Sequence, residues 1–593
     1  MKNKIQKIVT LYTLLLMAGF PLYMTNKYYD IQDDKMYFMM YVTAAFMAAV
    51  CIMGIILFVK ERKNIKTAEI NTTSAVNKNT AGDKKSTIDG KESTAARLIG
   101  IVKSNTSLPD RFALCFFIVL LISTIFSKWQ YEAFWGNMGR YQGLYMWIFY
   151  MAAYLMISRF YTPRRWHINI FMLIGIIVCG WGVLDFFFMS PFGWQIAARD
   201  YMAFDFSSTI GNVNLLTGFD GIILLVASAL FIGNGDKAEP VKAKTYNTEE
   251  GKCCEGSMCA DNKADREKCS RSILMLNDAL YLVTAFTAFM GLICGFSDNA
   301  FISVGTAVCF LPFFAFGNGK RIVRYITLLA VYAGAFVFLG GLIASGRQTV
   351  SIEHWGMLLE VCVKYADKLK VLFAVLIIVS VAAKLIYSAV NKKSTHESLP
   401  LILRSILAAL GVMAVLLIIY IFYDANTGGH PELYAPYSNL LIFNADWGTR
   451  RGFNWNLALG YIKDFPFFKK LFGTGPETYP IYTYSYDYYN MVNAYNEVYD
   501  SPHNEWLQYL FTTGILGFIS YYGWVITSIV SGCRARMKMH NIGTAFAFGA
   551  LVYTLVSFVN ISAPCLTPMV ILCMGVASAA GRSKANDMIY NKE

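Results

Sequence analysis

The sequence predicts an all-α integral membrane protein with about 12–14 transmembrane helices, and three observations carry that prediction. Apolar runs of about eighteen residues or more recur along the 593-residue chain, longer than a helix in a soluble core requires. Lys and Arg gather in every second connection between these runs, as cytoplasmic loops do under the positive-inside rule. One long polar and aromatic stretch, 424–503, interrupts the apolar pattern late in the chain.

Spans are expected at 8–26, 37–59, 111–127, 143–159, 167–189, 211–232, 273–295, 301–318, 325–345, 369–389, 400–422, 510–531, 542–560 and 563–580. The first follows Lys2, Lys4 and Lys7 but has no small-residue cleavage pattern after it, so it reads as a retained span. Alternation puts both termini in the cytoplasm and 424–503 outside. The chain then divides into two N-terminal spans (1–59), a disordered basic linker (60–110), a transmembrane core (111–423), a large extracytoplasmic loop (424–503), and the last spans with a cytoplasmic tail (504–593). Residues 233–272, inside the core, form a second polar linker too poor in apolar residues to fold.

The net charge of +13 sits in those cytoplasmic connections, which removes its force as a nucleic-acid signal. Most of the 13 cysteines lie in apolar segments or basic loops and none falls in 424–503, so free thiols are expected. Cys253, Cys254, Cys259 and Cys269 lack the paired Cys-x-x-Cys spacing of a zinc site, and no metal is expected. Asp185 and Asp220 are the main ionisable residues deep in the spans, a scarcity that disfavours an ion-coupled transporter.

Chemistry-bearing residues collect on the outer side. His503, in Ser501-Pro502-His503-Asn504-Glu505, stands at the mouth of a span. Near its reference pKa an imidazole accepts a hydroxyl proton at neutral pH; the alternative is that it caps the following helix. Arg450-Arg451, followed by Trp455, offers planar forks to phosphate oxygens or to lipid headgroups. Arg140, Arg199 and Arg347 are isolated cations in connections otherwise poor in them, and are candidates to touch a bound anion. Tyrosines crowd 479–499, either stacking on sugars or forming an interfacial belt. Gly473-Thr474-Gly475-Pro476 reads as a tight turn, whose amides either hold an anion or only turn a corner. Ile352, Trp355, Leu359 and Val363 recur at helical spacing, as in an interfacial amphipathic piece.

The order Arg450-Arg451, Trp455, then Phe472-Gly473-Thr474-Gly475-Pro476-Glu477-Thr478-Tyr479, then Pro502-His503-Asn504-Glu505-Trp506-Leu507-Gln508 leading to Gly514-Ile515-Leu516-Gly517, resembles the O-antigen ligase/polymerase family of membrane glycosyltransferases. Gly139-Arg140-Tyr141-Gln142-Gly143 and Gly211-Asn212-Val213-Asn214 are similar to its earlier loops, so the likeness covers about 110–580. The resemblance implies a GT-C-like helical fold in the bacterial cytoplasmic membrane and an extracytoplasmic active site without cofactor or metal. It implies an undecaprenyl-diphosphate-linked glycan as donor and a glycan, glycolipid or protein as acceptor. His503 would activate the acceptor hydroxyl, Arg450 or Arg451 with Arg140, Arg199 and Arg347 would hold the diphosphate, and Trp455, Tyr479 and Glu505 would touch glycan or acceptor. One departure stands out: where relatives carry Ser-Arg at an outer helix mouth, this chain reads Ser297-Asp298-Asn299. Polymerisation of repeat units, export of lipid-linked sugars and a non-catalytic assembly role are the alternatives.

Overall fold

The computed structural model describes residues 2–76, 106–194, 208–234, 263–295, 297–347, 349, 356–390, 398–535 and 541–590. These residues are helical throughout, with no β-strand among them. Ten helices are long and apolar enough to cross a membrane, and four shorter apolar helices at 144–160, 299–315, 542–556 and 567–582 fill the remaining expected positions. The protein is a polytopic all-α membrane protein.

In chain order the principal helices are α1 (Lys2–Leu14), α2 (Ile31–Val76), α3 (Leu108–Ile125), α4 (Gln130–Trp135), α5 (Leu144–Phe160), α6 (Arg165–Phe186) and α7 (Val213–Gly233). There follow α8 (Lys263–Cys294), α9 (Asp298–Ala315), α10 (Gly319–Ala344), α11 (Met357–Lys364), α12 (Ala366–Val390) and α13 (Ser398–Asn426). The late polar stretch holds α14 (Trp447–Asp464), α15 (Phe467–Phe472) and α16 (Tyr479–Tyr495), before α17 (Glu505–Arg534), α18 (Ile542–Val556) and α19 (Thr567–Tyr590) close the chain.

At the centre stands α7, apolar on all faces, as a helix surrounded by other helices must be. It packs on α8, α9 and α18, while α17 lies against α3, α18 and α19. By contrast α12 and α13 are outermost, their apolar windows 6% and 0% buried within the chain. Of the two deep acids, both buried, Asp185 accepts from Tyr28 Oη at 2.7 Å and from the Ser208 amide at 3.0 Å, tying the start of α2 to the approach to α7. No disulfide joins the described cysteines.

Some expectations shift. Helix α2 continues to Val76 through the basic stretch read as linker, because Lys60-Glu61-Arg62-Lys63 are good helix formers with no Gly or Pro to stop them. Helix α8 likewise begins at Lys263, inside the second linker. Residues 77–105 and 235–262, with Cys253, Cys254 and Cys259, lie outside the described residues, as do Arg199, Ile352 and Trp355, and the first linker ends at Leu108, where α3 begins. The amphipathic piece is only α11, and its buried face is Leu358, Leu359 and Cys362, with Val363 exposed. That face is set by contact with α10, where Cys362 Sγ donates to Phe336 O at 2.9 Å.

Helix α17 is broken. Gly514 has φ 66° and ψ −173°, so the amides beyond it cannot reach the carbonyls of the preceding turn. The glycine turn supplies the missing donors: Thr474 N bonds Phe511 O at 3.2 Å and Gly475 N bonds Thr512 O at 2.9 Å. Ser123 Oγ adds a bond to Thr512 O at 2.7 Å. A polar backbone freed within an apolar bundle must be satisfied by protein, and the turn at 473–476 does this instead of holding an anion through those two amides.

Candidate active site

Connections from one end of the helix bundle converge on a cavity of about 350 Å³. Its polar lining comes from Gln32, Arg140, Asn212, Asn214, Arg451, Asp500, His503 and Asn560. Each residue arrives by a local device readable in the backbone.

Arg140 rides a turn in which Gly136 (φ 85°), Gly139 (φ 80°) and Tyr141 (φ 50°) are all left-handed. Gly143 closes it: a Cβ there would sit 2.4 Å from the Gly136 amide nitrogen. Arg140 Nε and Nη2 both donate to Asp500 Oδ2, at 2.8 and 2.6 Å. Asn212 caps α7, its Oδ1 accepting from the amides of Asn214 at 2.8 Å and Leu215 at 3.3 Å.

Three successive left-handed residues, Gly448, Thr449 and Arg450, precede Arg451 and turn it away from its neighbour. Arg451 Nη1 donates to Gly448 O at 3.0 Å while its side chain lines the cavity. Arg450 instead pairs with Glu497 at 2.7 Å and lies over the Tyr495 ring. The arginine pair therefore divides, one member facing the cavity and the other bracing the turn against the end of α16.

His503 has φ 49°, its amide donating to Ser501 Oγ at 3.1 Å. The cap of α17 is Asn504, whose Oδ1 accepts from Leu507 N at 3.0 Å, so the histidine is not the cap. Its half-buried ring has no hydrogen-bond partner among the described residues. Desolvation, followed by the nearby Arg140 guanidinium and, more weakly, Arg451, pushes its pKa from 6.5 down to about 4, against an opposing pull from Asp500. The imidazole is thus neutral at pH 7. The unfolded chain takes up this proton near pH 6.5 and the folded chain only near 4, so the group costs stability as pH falls across that window.

Other expected contacts lie elsewhere. Trp455 donates Nε1–H to Pro502 O at 2.9 Å, holding the turn before His503. Tyr479 has no exposed surface and bonds Asn454 at 3.3 Å, so its ring is core and is closed to a sugar. Glu505 is also buried, accepting from Tyr553 Oη at 2.7 Å and Tyr521 Oη at 3.2 Å; it anchors the start of α17. Arg347 is exposed and, among the described residues, reaches only Met189 Sδ, at 3.5 Å. Of the crowded tyrosines, Tyr484 and Tyr489 are exposed, whereas Tyr482 packs on Trp129, Phe465 and Phe511.

Residues missed by sequence reasoning are Gln32, Asn560 and Asp500 in the cavity and, in an adjoining pocket shared with Arg140, the buried Glu477, whose backbone and carboxylate receive Asn137 Nδ2 at 2.5 and 3.3 Å. Burial pushes the Glu477 carboxyl above its usual range, and Arg140 works against that rise. Asn560 had a signal, an amide in a short polar break between two late apolar segments.

Residues 362–522 match the family model described as O-antigen ligase. This stretch is a domain similar to the O-antigen ligase family. That domain contains Arg450, Arg451, Trp455, Tyr479, His503 and Glu505, whereas Arg140, Asn212 and Asn214 reach the same cavity from outside it. The O-antigen ligase match speaks for membrane glycan transfer of the ligase or polymerase kind. No curated protein matches the chain.

Proposed function

We propose that this protein transfers a glycan from an undecaprenyl-diphosphate-linked donor to an acceptor hydroxyl, on the outer face of a bacterial cytoplasmic membrane. The observation that carries the reading is one cavity shared by a neutral imidazole, unpartnered among the described residues, and two guanidinium groups, His503 with Arg140 and Arg451. The acceptor oxygen attacks the anomeric carbon in line, and its proton passes to His503. The bond from that carbon to the phosphate oxygen breaks, and the polyprenyl diphosphate leaves with the electron pair. Arg451 and Arg140 stabilise the charge that grows on it. The distribution of Lys and Arg among the connections supports the outward placement.

The direct test is purified protein in lipid nanodiscs with a synthetic polyprenyl-diphosphate glycan, assayed for acceptor-dependent release of the carrier diphosphate. No release with any hydroxyl acceptor, from well-folded protein, would overturn the proposal. Arg451→Gln is expected to raise the donor KM by about tenfold or more, while Arg450→Gln changes it much less. Equal effects would contradict the division of the pair.

The acid limb of kcat/KM should lie near pH 4, well below an ordinary histidine, because burial and Arg140 push the His503 pKa down to about 4. Arg140→Gln removes a repelling cation, so that limb should move toward higher pH. A pH–rate profile of both proteins checks the sign.

A further inference from the structure

The amide side of the cavity has an asymmetry that the transfer step does not use. Asn212 Oδ1 is fixed as oxygen because it accepts backbone N–H groups of α7, which leaves Nδ2 with no partner among the described residues. Asn214 is fixed in the same way. Ser297 Oγ accepts from Asn299 N, so its own proton goes to Asn214 Oδ1 at 2.7 Å, and Asn214 Nδ2 is left over. Asn299 Nδ2 bonds Asn214 O at 2.8 Å and holds that residue in place. Asn560 uses Oδ1 on Ile561 N at 2.9 Å and Nδ2 on Asn214 O at 3.2 Å. Gln32 lines the cavity with its amide unengaged among the described residues.

The spare groups on this wall are therefore mostly N–H donors, beside two guanidinium groups. Asp500 is the only carboxylate among the described lining residues, and Arg140 already holds it. A sugar hydroxyl both donates and accepts, and gains little from a wall that mainly donates. A carbonyl-type oxygen only accepts, and suits it.

We propose that Asn212 and Asn214, with Gln32, form a subsite for an acceptor-only oxygen, the carbonyl of an acetamido group or a carboxylate, on the sugar attached to the diphosphate. This rests on the transfer reading above. The anomeric carbon of that sugar must lie between His503 and the arginines, so its ring substituents fall against the walls of the same cavity. The volume, about 350 Å³, is within the roughly 300–1,000 Å³ usual for small-molecule sites.

The test uses the full chain in nanodiscs with three synthetic polyprenyl-diphosphate donors, whose first sugar is a plain hexose, its 2-acetamido analogue or its uronic acid. The wild type should favour one of the substituted donors by about fivefold or more in kcat/KM, and which one is favoured identifies the group. Asn212→Ser keeps a good helix cap while removing the spare amide, and should erase most of that preference by losing more on the favoured donor than on the hexose. Equal use of all three donors by the wild type, or an equal loss on all three in the variant, would overturn the subsite while transfer itself stands. If no donor turns over, the transfer reading fails instead, and relative binding of the three donors to His503→Ala protein still decides the subsite.

Discussion

Replacing His503 by alanine is expected to reduce carrier release by ~10²–10⁴-fold, the range over which a positioned general base contributes. The ring has no hydrogen-bond partner among the described residues and does not cap α17, so its loss should leave insertion and folding intact. Because residue 503 is left-handed, His503→Asn is the gentler control, since asparagine tolerates that conformation better than alanine. Both variants should elute as wild type in detergent and retain donor binding. Turnover within about tenfold of wild type would remove His503 from the base role.

The second large effect is structural. A Cβ on Gly473 would lie 2.2 Å from the Thr512 carbonyl group, and one on Gly514 would lie 2.4 Å from the Leu471 carbonyl group. Both contacts are with backbone, which has no rotamer to change, and both glycines have positive φ. Gly473→Ala and Gly514→Ala should each cost about 3 kcal/mol or more, lowering thermal stability in detergent and activity together. Gly139→Ala is the comparison: its φ is 80° but nothing lies within 4 Å of the added carbon, so about 1–2 kcal/mol of backbone strain is the whole effect. A Gly514→Ala protein melting with the wild type would contradict the interlock.

The membrane architecture was legible because length and apolarity alone decide it, and all the expected spans correspond to helices. The region of the site was legible through rare residue types in an outer stretch: a histidine, an arginine pair, glycines at tight turns. Which arginine of the pair faces the cavity was not, because the choice depends on three left-handed residues at 448–450 that periodicity does not encode. Tyr479 and Glu505 look like surface contacts in sequence, yet their partners Asn454, Tyr521 and Tyr553 are distant in the chain and draw them into the core. Gln32 and Asn560 reach the cavity only because widely separated helix ends meet at one end of the bundle.

The Arg140–Asp500 pair has a bearing on how an anion would be received. Both donating nitrogens of Arg140 engage a single oxygen of a half-exposed carboxylate, and Nη1 remains unengaged among the described residues. The guanidinium is already oriented before any ligand arrives, so docking a phosphoryl group asks for an exchange of counter-ions and little new ordering. Under the transfer proposed above, Asp500 then becomes a competitor whose departure or persistence sets how long the pyrophosphate lingers after the glycan has gone.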